Sequence, residues 1–312
     1  MENLNGLNGL NELQEKILDL KRKKNAVILA HFYQTMDIQQ IADYAGDSFE
    51  LSKRAKNAEE NLIVFCGVKF MAESAKLLSP HKKVMLPNLN AGCPMADMVN
   101  PEMIRNLRKE HPNAAVVCYV NSSAETKAEC DICCTSSNAV NIVRKIGADE
   151  IIFVPDKNLG AYVAQFVPEK KFIYINGFCP IHRHITADEA IAKKREFPNA
   201  KFAAHPECEP DVVKLADFVG STSQILSYCM ESKDEEFIIG TEYGVVERLR
   251  FYRPEKKYNI LTPALVCPDM KKTALNDIYN CLTTEASGNI IELSDDIINK
   301  ANLPLEKMLE LG

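Results

Sequence analysis

VILAHFY, at residues 27–33, recurs in altered form as AVVCYVN at 115–121 and as KFAAHPE at 201–207. The equivalent residues His31, Tyr119 and His205 are 88 and 86 positions apart. Three Cys-Pro dipeptides keep the same period, with spacings of 86 and 88 residues between Cys93, Cys179 and Cys267. Landmarks that keep one order and one period predict three copies of a single structural unit.

Two further landmarks follow this period. An aspartate lies twelve residues after each of the first landmarks, at Asp43, Asp131 and Asp217. A hydroxyl-bearing residue follows five positions later, at Ser48, Ser136 and Thr222. In a chain of 312 residues, the repeat predicts domains at 12–98, 99–184 and 185–270, and tail helices at 271–312 that pack on the assembly. Units of this size need their neighbours to complete a core.

The first copy alternates short apolar runs with amphipathic helical stretches. This pattern predicts helices at 12–23, 37–58 and 69–78, and strands at 26–31, 62–66 and 83–86. Continuously apolar strands separated by helices are typical of parallel sheets covered on both faces. The predicted fold class is α/β, with three similar three-layer αβα domains around a pseudo-three-fold axis. Because ligands bind outside the carboxyl ends of parallel strands, we expect one shared site at the centre.

The composition, 46% hydrophobic and 26% charged, is that of an ordinary globular protein. The net charge of -6 argues against a nucleic-acid surface, which normally carries a basic stripe. The longest apolar runs fall far short of the ~20 residues that span a bilayer, and no signal peptide is visible. Eleven cysteines without such a signal predict a cytoplasmic protein whose thiols are metal ligands, reactive groups or core residues.

The periodic cysteines Cys93, Cys179 and Cys267 would bring three thiolates to one centre. A structural zinc ion would require a fourth protein ligand. A [4Fe-4S] cluster held by three cysteines instead has one open iron, which can act as a Lewis acid. The pattern therefore favours such a cluster, and the alternative is three buried cysteines that happen to precede prolines.

The dense motif CDICC at 130–134 suggests a second metal site. In the other two copies, however, the positions of Cys133 and Cys134 hold alanine, valine or glycine. Free cysteine often behaves as a small hydrophobic residue, so we expect Cys130, Cys133 and Cys134 to fill the core. The same expectation covers the cysteines without a repeat equivalent, namely Cys66, Cys118, Cys208, Cys229 and Cys281.

The periodic hydroxyl residues Ser48, Ser136 and Thr222 each precede a helical stretch. One interpretation is a helix N-cap, worth ~1 kcal/mol. The other is anion binding, because free N–H groups and the positive end of the helix dipole attract phosphate and carboxylate. Three such termini would suit a substrate pair that carries one phosphate and two carboxylates.

Polar residues that can move protons follow the equivalent strands. His31 and His205 occupy matching positions. Two residues further on, the three copies carry Tyr33, Asn121 and Glu207. Tyrosine, glutamate and histidine are the groups that transfer protons during enolisation and dehydration. We therefore expect catalytic roles for Tyr33, Glu207, His31 and His205. His182, three residues after Cys179, is expected to support that ligand.

Nine motifs resemble the quinolinate synthase family, the A protein of bacterial and archaeal NAD biosynthesis: AHFYQ, GDS, NAGCPMADM, YVN, KAECDICCTSSNA, NGFCPIH, HPEC, GSTSQI and VCPDMKK. The resemblance covers nearly the whole chain. It implies three αβα domains with a [4Fe-4S] cluster in the central cavity, held by Cys93, Cys179 and Cys267. It also implies substrate contacts from His31, Tyr33, Ser48, Tyr119, Asn121, Ser136, His205, Glu207 and Thr222. The implied reaction condenses iminosuccinate with dihydroxyacetone phosphate to give quinolinate, phosphate and water.

Two other functions are compatible with the cysteine pattern alone. A hydro-lyase acting on a hydroxy acid would turn over a single substrate without releasing phosphate. A non-enzymatic iron–sulfur sensor would need a docking element, and the sequence shows no basic recognition helix. If the family's reaction applies, an aspartate-oxidising enzyme is a possible partner that supplies iminosuccinate, and neither nucleic acid nor membrane is expected as a partner.

Overall fold

The computed structural model describes residues 10–285 and 287–312. Within them, twelve strands form three parallel sheets of four strands each. The strands are β1 (Ala26–His31), β2 (Tyr44–Gly46), β3 (Leu62–Cys66), β4 (Lys83–Met85), β5 (Ala115–Tyr119), β6 (Ile132–Cys134), β7 (Glu150–Val154), β8 (Lys171–Tyr174), β9 (Lys201–Ala204), β10 (Phe218–Val219), β11 (Glu236–Gly240) and β12 (Lys257–Ile260). Their orders are β2-β1-β3-β4, β6-β5-β7-β8 and β10-β9-β11-β12. The three sheets therefore share one topology, and the predicted α/β class with parallel sheets is confirmed.

Helices connect the strands and flank the sheets. They are α1 (Glu12–Lys23), α2 (Met36–Ile41), α3 (Ser48–Asn57), α4 (Lys69–Leu78), α5 (Pro101–Glu110), α6 (Ala124–Lys127), α7 (Ala139–Lys145), α8 (Lys157–Ala164), α9 (Pro180–Arg183), α10 (Ala187–Glu196), α11 (Pro210–Val213), α12 (Thr222–Glu231), α13 (Gly244–Tyr252), α14 (Leu275–Thr284) and α15 (Asp295–Leu311). Short 3-10 turns lie at Ala96–Met98 and Ser287–Asn289. The stretch expected to be helical at 37–58 contains α2, the short strand β2 and α3.

Strand β1 is buried along its whole length because helices cover both faces of its sheet. Successive side chains of a strand point to opposite faces. Accordingly, Ile28 packs in a core with Ile17 of α1, whereas Leu29 packs in another core with Leu51 of α3. This arrangement explains the unbroken apolar runs of the sequence and gives the three-layer αβα architecture.

The periodic aspartates have a structural role that the sequence pattern did not reveal. The Oδ2 atoms of Asp43, Asp131 and Asp217 each accept a hydrogen bond of 2.8 Å from a backbone N–H of β1, β5 and β9, respectively. The backbone N–H of the same aspartates donates to the same strands. Each aspartate thus fixes the start of the edge strand against the centre of its sheet.

The C-terminal segment packs on two of the sheets. Helix α14 shares a core with α1 and the first sheet, through Ile278 and Leu282. Helix α15 covers the second sheet and contributes Leu305 and Met308 to its core. The exact domain boundaries stay a prediction. Among the residues described, none of the helices is both long and apolar enough to cross a membrane.

Candidate active site

One cavity lies where the carboxyl ends of the central strands meet, as expected for parallel α/β sheets. Its volume is about 160 Å³. The cavity brings together all the residues that the sequence singled out for the site: His31, Tyr33, Ser48, Cys93, Tyr119, Asn121, Ser136, Cys179, His205, Glu207, Thr222 and Cys267. Residues up to 236 positions apart, such as His31 and Cys267, thus line one space.

The three periodic cysteines approach the cavity from three equivalent loops. All three side chains are half-buried and free, and they line the same space. Burial raises the pKa of the Cys93 thiol to about 12 and that of the Cys267 thiol to about 11. Thiolates in such a setting need a cation to compensate their charge. The donor set of three sulfur atoms, with no fourth cysteine at the cavity among the described residues, therefore fits a cluster with one open iron.

A group able to bind metal adjoins these cysteines. Cys179, His182 and Glu207 each present a ligand atom, and these atoms all lie within 4.8 Å of one another. The His182 Nδ1 atom is 3.2 Å from the Cys179 Sγ atom and 2.7 Å from the Glu207 Oε2 atom. The site thus has metal-binding capacity beyond its thiols. The expectation that His182 supports Cys179 agrees with this contact.

The two equivalent histidines have the same geometry. The Nδ1 atom of His31 accepts a hydrogen bond from the Tyr33 N–H at 3.1 Å, and that of His205 accepts one from the Glu207 N–H at 3.3 Å. Burial lowers the pKa of each imidazole to about 3, although the Glu207 carboxylate nearby acts in the opposite direction. Both rings are therefore neutral near pH 7. Because Nδ1 is an acceptor, each ring carries its proton on Nε2, where it can donate a hydrogen bond.

Glu207 is the carboxylate at the centre of the polar groups. It is buried, and its Oε1 atom accepts a 2.6 Å hydrogen bond from the Tyr119 hydroxyl. Burial opposes ionisation, but the hydrogen bonds that the carboxylate accepts from His182 and Tyr119 favour its charged form, and the pKa of the carboxyl lies below its usual range. Glu207 is thus a buried carboxylate held in its ionised form by hydrogen-bond donors.

A chain of hydrogen bonds joins Glu207 to Tyr33. His182 Nε2 lies 3.0 Å from the Thr241 Oγ1 atom, which lies 2.9 Å from the Tyr33 hydroxyl. The Thr222 hydroxyl donates to the Tyr33 oxygen at 3.1 Å. Since the carboxylate can only accept, His182 donates to it from Nδ1, Thr241 donates to His182 Nε2, and Tyr33 donates to Thr241. Every donor in the chain thus points towards Glu207.

The N-cap interpretation of the periodic hydroxyl residues is wrong. The N-cap of α3 is Asp47, whose carboxylate accepts from two N–H groups, and the N-cap of α12 is Ser221. Ser48 and Thr222 are therefore the first residues of their helices, and Ser136 lies in a turn before α7. Their hydroxyls are not needed as caps and line the cavity instead. The Asp47 carboxylate already occupies the start of α3, which makes that terminus less attractive to an anion.

One polar atom at the cavity is unpaired in the described part of the chain. The Asn121 Oδ1 atom is buried and lacks a hydrogen-bond partner within the described part of the chain. Buried polar atoms normally find partners, so an unpaired one in a cavity marks a position where a ligand can bind. Of the residues that the structure describes, neither a lysine nor an arginine lines the cavity. Anionic ligands would have to be held by hydroxyl, amide and imidazole donors.

Sequence reasoning missed Thr241, Asp156 and Glu242, which shape this site. Thr241 has no equivalent in the repeat, so no sequence signal identified it. Asp156 and Glu242 are 86 positions apart and match Val68 of the first copy. Extending the repeat comparison by one position would have found these two acids, although not their function.

Comparison with known proteins agrees with this geometry. The family model for NadA, quinolinate synthetase A protein, matches residues 15–310. The chain belongs to the quinolinate synthase family. A quinolinate synthase of Caldicellulosiruptor bescii is 52% identical over 300 residues, which cover 96% of this chain and 98% of the relative. One from Alkaliphilus metalliredigens is 52% identical over 297 residues, covering 95% and 97%. One from Clostridium perfringens is 51% identical over 301 residues, covering 96% and 99%. Membership extends over nearly the full chain, so it identifies an enzyme of NAD biosynthesis.

Proposed function

We propose that this enzyme condenses iminosuccinate with dihydroxyacetone phosphate to give quinolinate, phosphate and water. The observation that carries the proposal is the shared cavity. Three cysteines from three equivalent loops line the same space as two neutral histidines, two tyrosines and an ionised glutamate. Family membership supports the same reaction. Iminosuccinate is aspartate oxidised by two electrons, so an aspartate-oxidising enzyme is the partner we expect to supply it.

We infer that Cys93, Cys179 and Cys267 hold a [4Fe-4S] cluster. A cluster is larger than a single ion, so its three cysteines need not come as close together as the ligand atoms of Cys179, His182 and Glu207. When bound, a cluster with three cysteine ligands supplies an open iron that acts as a Lewis acid on substrate oxygen. His182 and Glu207 lie beside Cys179 and would help to orient the substrate.

Glu207 and Tyr33 would divide the proton transfers between them. The lowered pKa of the Glu207 carboxyl leaves it ionised and able to accept a proton, whereas burial raises the pKa of Tyr33 well above its ordinary value, so its hydroxyl keeps a proton that it can donate. Environments that separate two pKa values in this way assign the base and the acid. Isomerisation of the ketose, dehydration and ring closure all require such transfers. The chain through Thr241 and His182 connects the two groups.

The remaining polar residues would bind the substrates. The Nε2–H groups of His31 and His205 point their protons away from the backbone and can donate to substrate hydroxyl or carboxylate oxygens. Ser48, Ser136 and Thr222 place hydroxyls around the cavity, and Asn121 offers its unpaired oxygen. The hydroxyl and imidazole donors would replace the lysines and arginines that often bind phosphate, and the Asn121 oxygen would accept a hydrogen bond from a substrate. The substrates would thus be held by many neutral hydrogen bonds rather than by an ion pair.

The decisive experiment is a turnover assay with anaerobically prepared protein. Quinolinate formation and phosphate release should both occur only when iminosuccinate and dihydroxyacetone phosphate are present together. Release of phosphate from dihydroxyacetone phosphate alone, or dehydration of a single hydroxy acid, would contradict the proposal and favour a hydro-lyase. A protein that binds iron but turns over neither substrate would favour a sensor.

A further inference from the structure

Each cysteine loop is tied to the helix before it by the same backbone bond. The hydrogen bonds are Lys69 N–H to Ala91 O at 2.8 Å, Lys157 N–H to Gly177 O at 3.0 Å, and Tyr243 N–H to Leu265 O at 2.8 Å. In every copy the acceptor lies two residues before the periodic cysteine. The repeat therefore preserves the attachment of the loop as well as the cysteine itself.

In the second copy a buried carboxylate strengthens this attachment. Asp156 is fully buried, and its Oδ2 atom accepts a hydrogen bond from the Cys179 N–H at 3.1 Å. Its Oδ1 atom accepts from the Leu159 N–H at 2.8 Å, in the first turn of α8. One carboxylate thus joins a helix start to the backbone of a cysteine. Only glycine fits at position 177 of this loop, because a Cβ atom there would lie 2.2 Å from the Pro155 carbonyl oxygen.

The third copy repeats this arrangement with a longer side chain. Glu242 is fully buried, and its Oε1 atom accepts from the Cys267 N–H at 3.2 Å. Its Oε2 atom accepts from the N–H of Gly244, the first residue of α13, at 2.7 Å. Lys271 lies 3.2 Å from Oε1 and donates to the Tyr33 carbonyl oxygen at 2.6 Å. Glu242 therefore also connects its cysteine to the backbone of Tyr33.

The first copy lacks the carboxylate, because Val68 occupies the equivalent position. Its cysteine loop is held instead by a residue from the third copy: the Asp269 Oδ1 atom accepts a hydrogen bond from the Gly92 N–H at 3.2 Å. Asp269 lies two residues after Cys267. The loop of Cys93 is thus tied to the loop of Cys267.

We propose that Asp156 and Glu242 are positioning residues for the iron–sulfur cluster. Each holds the backbone of one cysteine ligand against the start of the adjacent helix and so keeps the three thiols at the separation that the cluster requires. The inference rests on the proposed function, because it assumes that these cysteines hold the cluster. Neither acid was among the residues expected to act in the site, and neither donates a ligand in this scheme.

The test uses Asp156→Asn and Glu242→Gln in the anaerobic holoenzyme. Each amide keeps the size of the side chain but replaces one acceptor oxygen with a donor, so one of the two backbone N–H groups loses its bond. Both variants should take up about four irons and then release iron to a chelator about tenfold faster than the wild type. The electron paramagnetic resonance signal of the reduced cluster should also change shape in both. Neither measurement depends on turnover.

Asp217→Asn is the matched control. Its Oδ2 atom accepts a backbone N–H in the third sheet, away from the cavity, so it should leave iron release within about twofold of the wild type. Release within twofold of the wild type for both test variants, or equal acceleration in the control, would overturn the inference. The two test residues follow strands of different sheets. If one variant fails to fold, the other therefore provides the test. A wild type that binds no cluster would count against the proposed function itself.

Discussion

Glu207→Gln separates the proposed proton-transfer role of this side chain from its structural role. The carboxylate accepts from Tyr119 at 2.6 Å through Oε1 and faces His182 Nδ1 at 2.7 Å through Oε2. Glutamine has the same shape but only one acceptor oxygen, and its NH2 group must face one of these two donors. The substitution therefore breaks one hydrogen bond and abolishes proton exchange at the carboxyl.

The two losses have different magnitudes. Leaving a buried donor without a partner costs about 1–3 kcal/mol of stability. General acid–base catalysis contributes roughly 10²–10⁴-fold to a rate. We therefore expect a modest fall in the free energy of unfolding and a loss of at least about 100-fold in kcat for quinolinate formation, with the iron content unchanged.

The assay measures quinolinate formed anaerobically at saturating substrate, together with iron content and urea-induced unfolding. Glu73→Gln is the control. Glu73 is also a buried glutamate, and it accepts from the Ala124 N–H at 2.9 Å, but it does not line the cavity. The control should lose stability and keep its turnover. If Glu207→Gln with a full complement of iron kept a kcat within about tenfold of the wild type, the assignment of Glu207 as the base would be refuted.

Three further predictions concern the same site. Cys267→Ala should lose the cluster, whereas Cys133→Ala, in the core of the second sheet, should keep it. Iron content and visible absorption of the two variants test this, and equal iron in both would reject the ligand assignment. Thr222→Val should raise KM more than it lowers the melting temperature, because Ser221 caps α12; unchanged KM would contradict substrate binding. The pKa of His31 and of His205 falls from 6.5 to about 3 on folding. Below pH 6.5 the unfolded chain therefore takes up protons that the folded chain cannot, and stability falls as the pH drops towards 3, by up to about 1.4 kcal/mol per pH unit for each histidine. Urea unfolding of metal-free protein at pH 7, 6 and 5 measures this slope, which should be shallower in His205→Gln; an identical slope would show that His205 is not kept neutral by burial.

The sequence predicted the fold closely because the repeat and the apolar runs are local, periodic signals. The unbroken run of β1 and the helix α1 are placed at the predicted residues, since each covers one continuous stretch. Convergence of the cysteines on one cavity also followed from the period. What the sequence did not predict depends on contacts between distant residues. The role of Thr241 arises only when its strand end meets Tyr33 and His182, and no local pattern encodes that meeting.

The hydroxyl residues show a different limit. The sequence placed Ser48 and Thr222 at helix starts, but whether the cap is that residue or the one before it depends on a single backbone step. The structure assigns the caps to Asp47 and Ser221. A one-residue shift therefore rules out the cap interpretation for Ser48 and Thr222, and their role in binding stays a prediction.

The position of α15 determines when the molecule can become complete during its synthesis. Helix α15 covers the second sheet, so the core built around that sheet closes only after residues 295–311 have been synthesised. Cys267 also emerges after both of its counterparts. Until then the growing chain cannot present all three thiols that the proposed cluster requires. Assembly of that cluster would therefore follow synthesis of the third repeat, and chains that end before it would carry thiols open to oxidation.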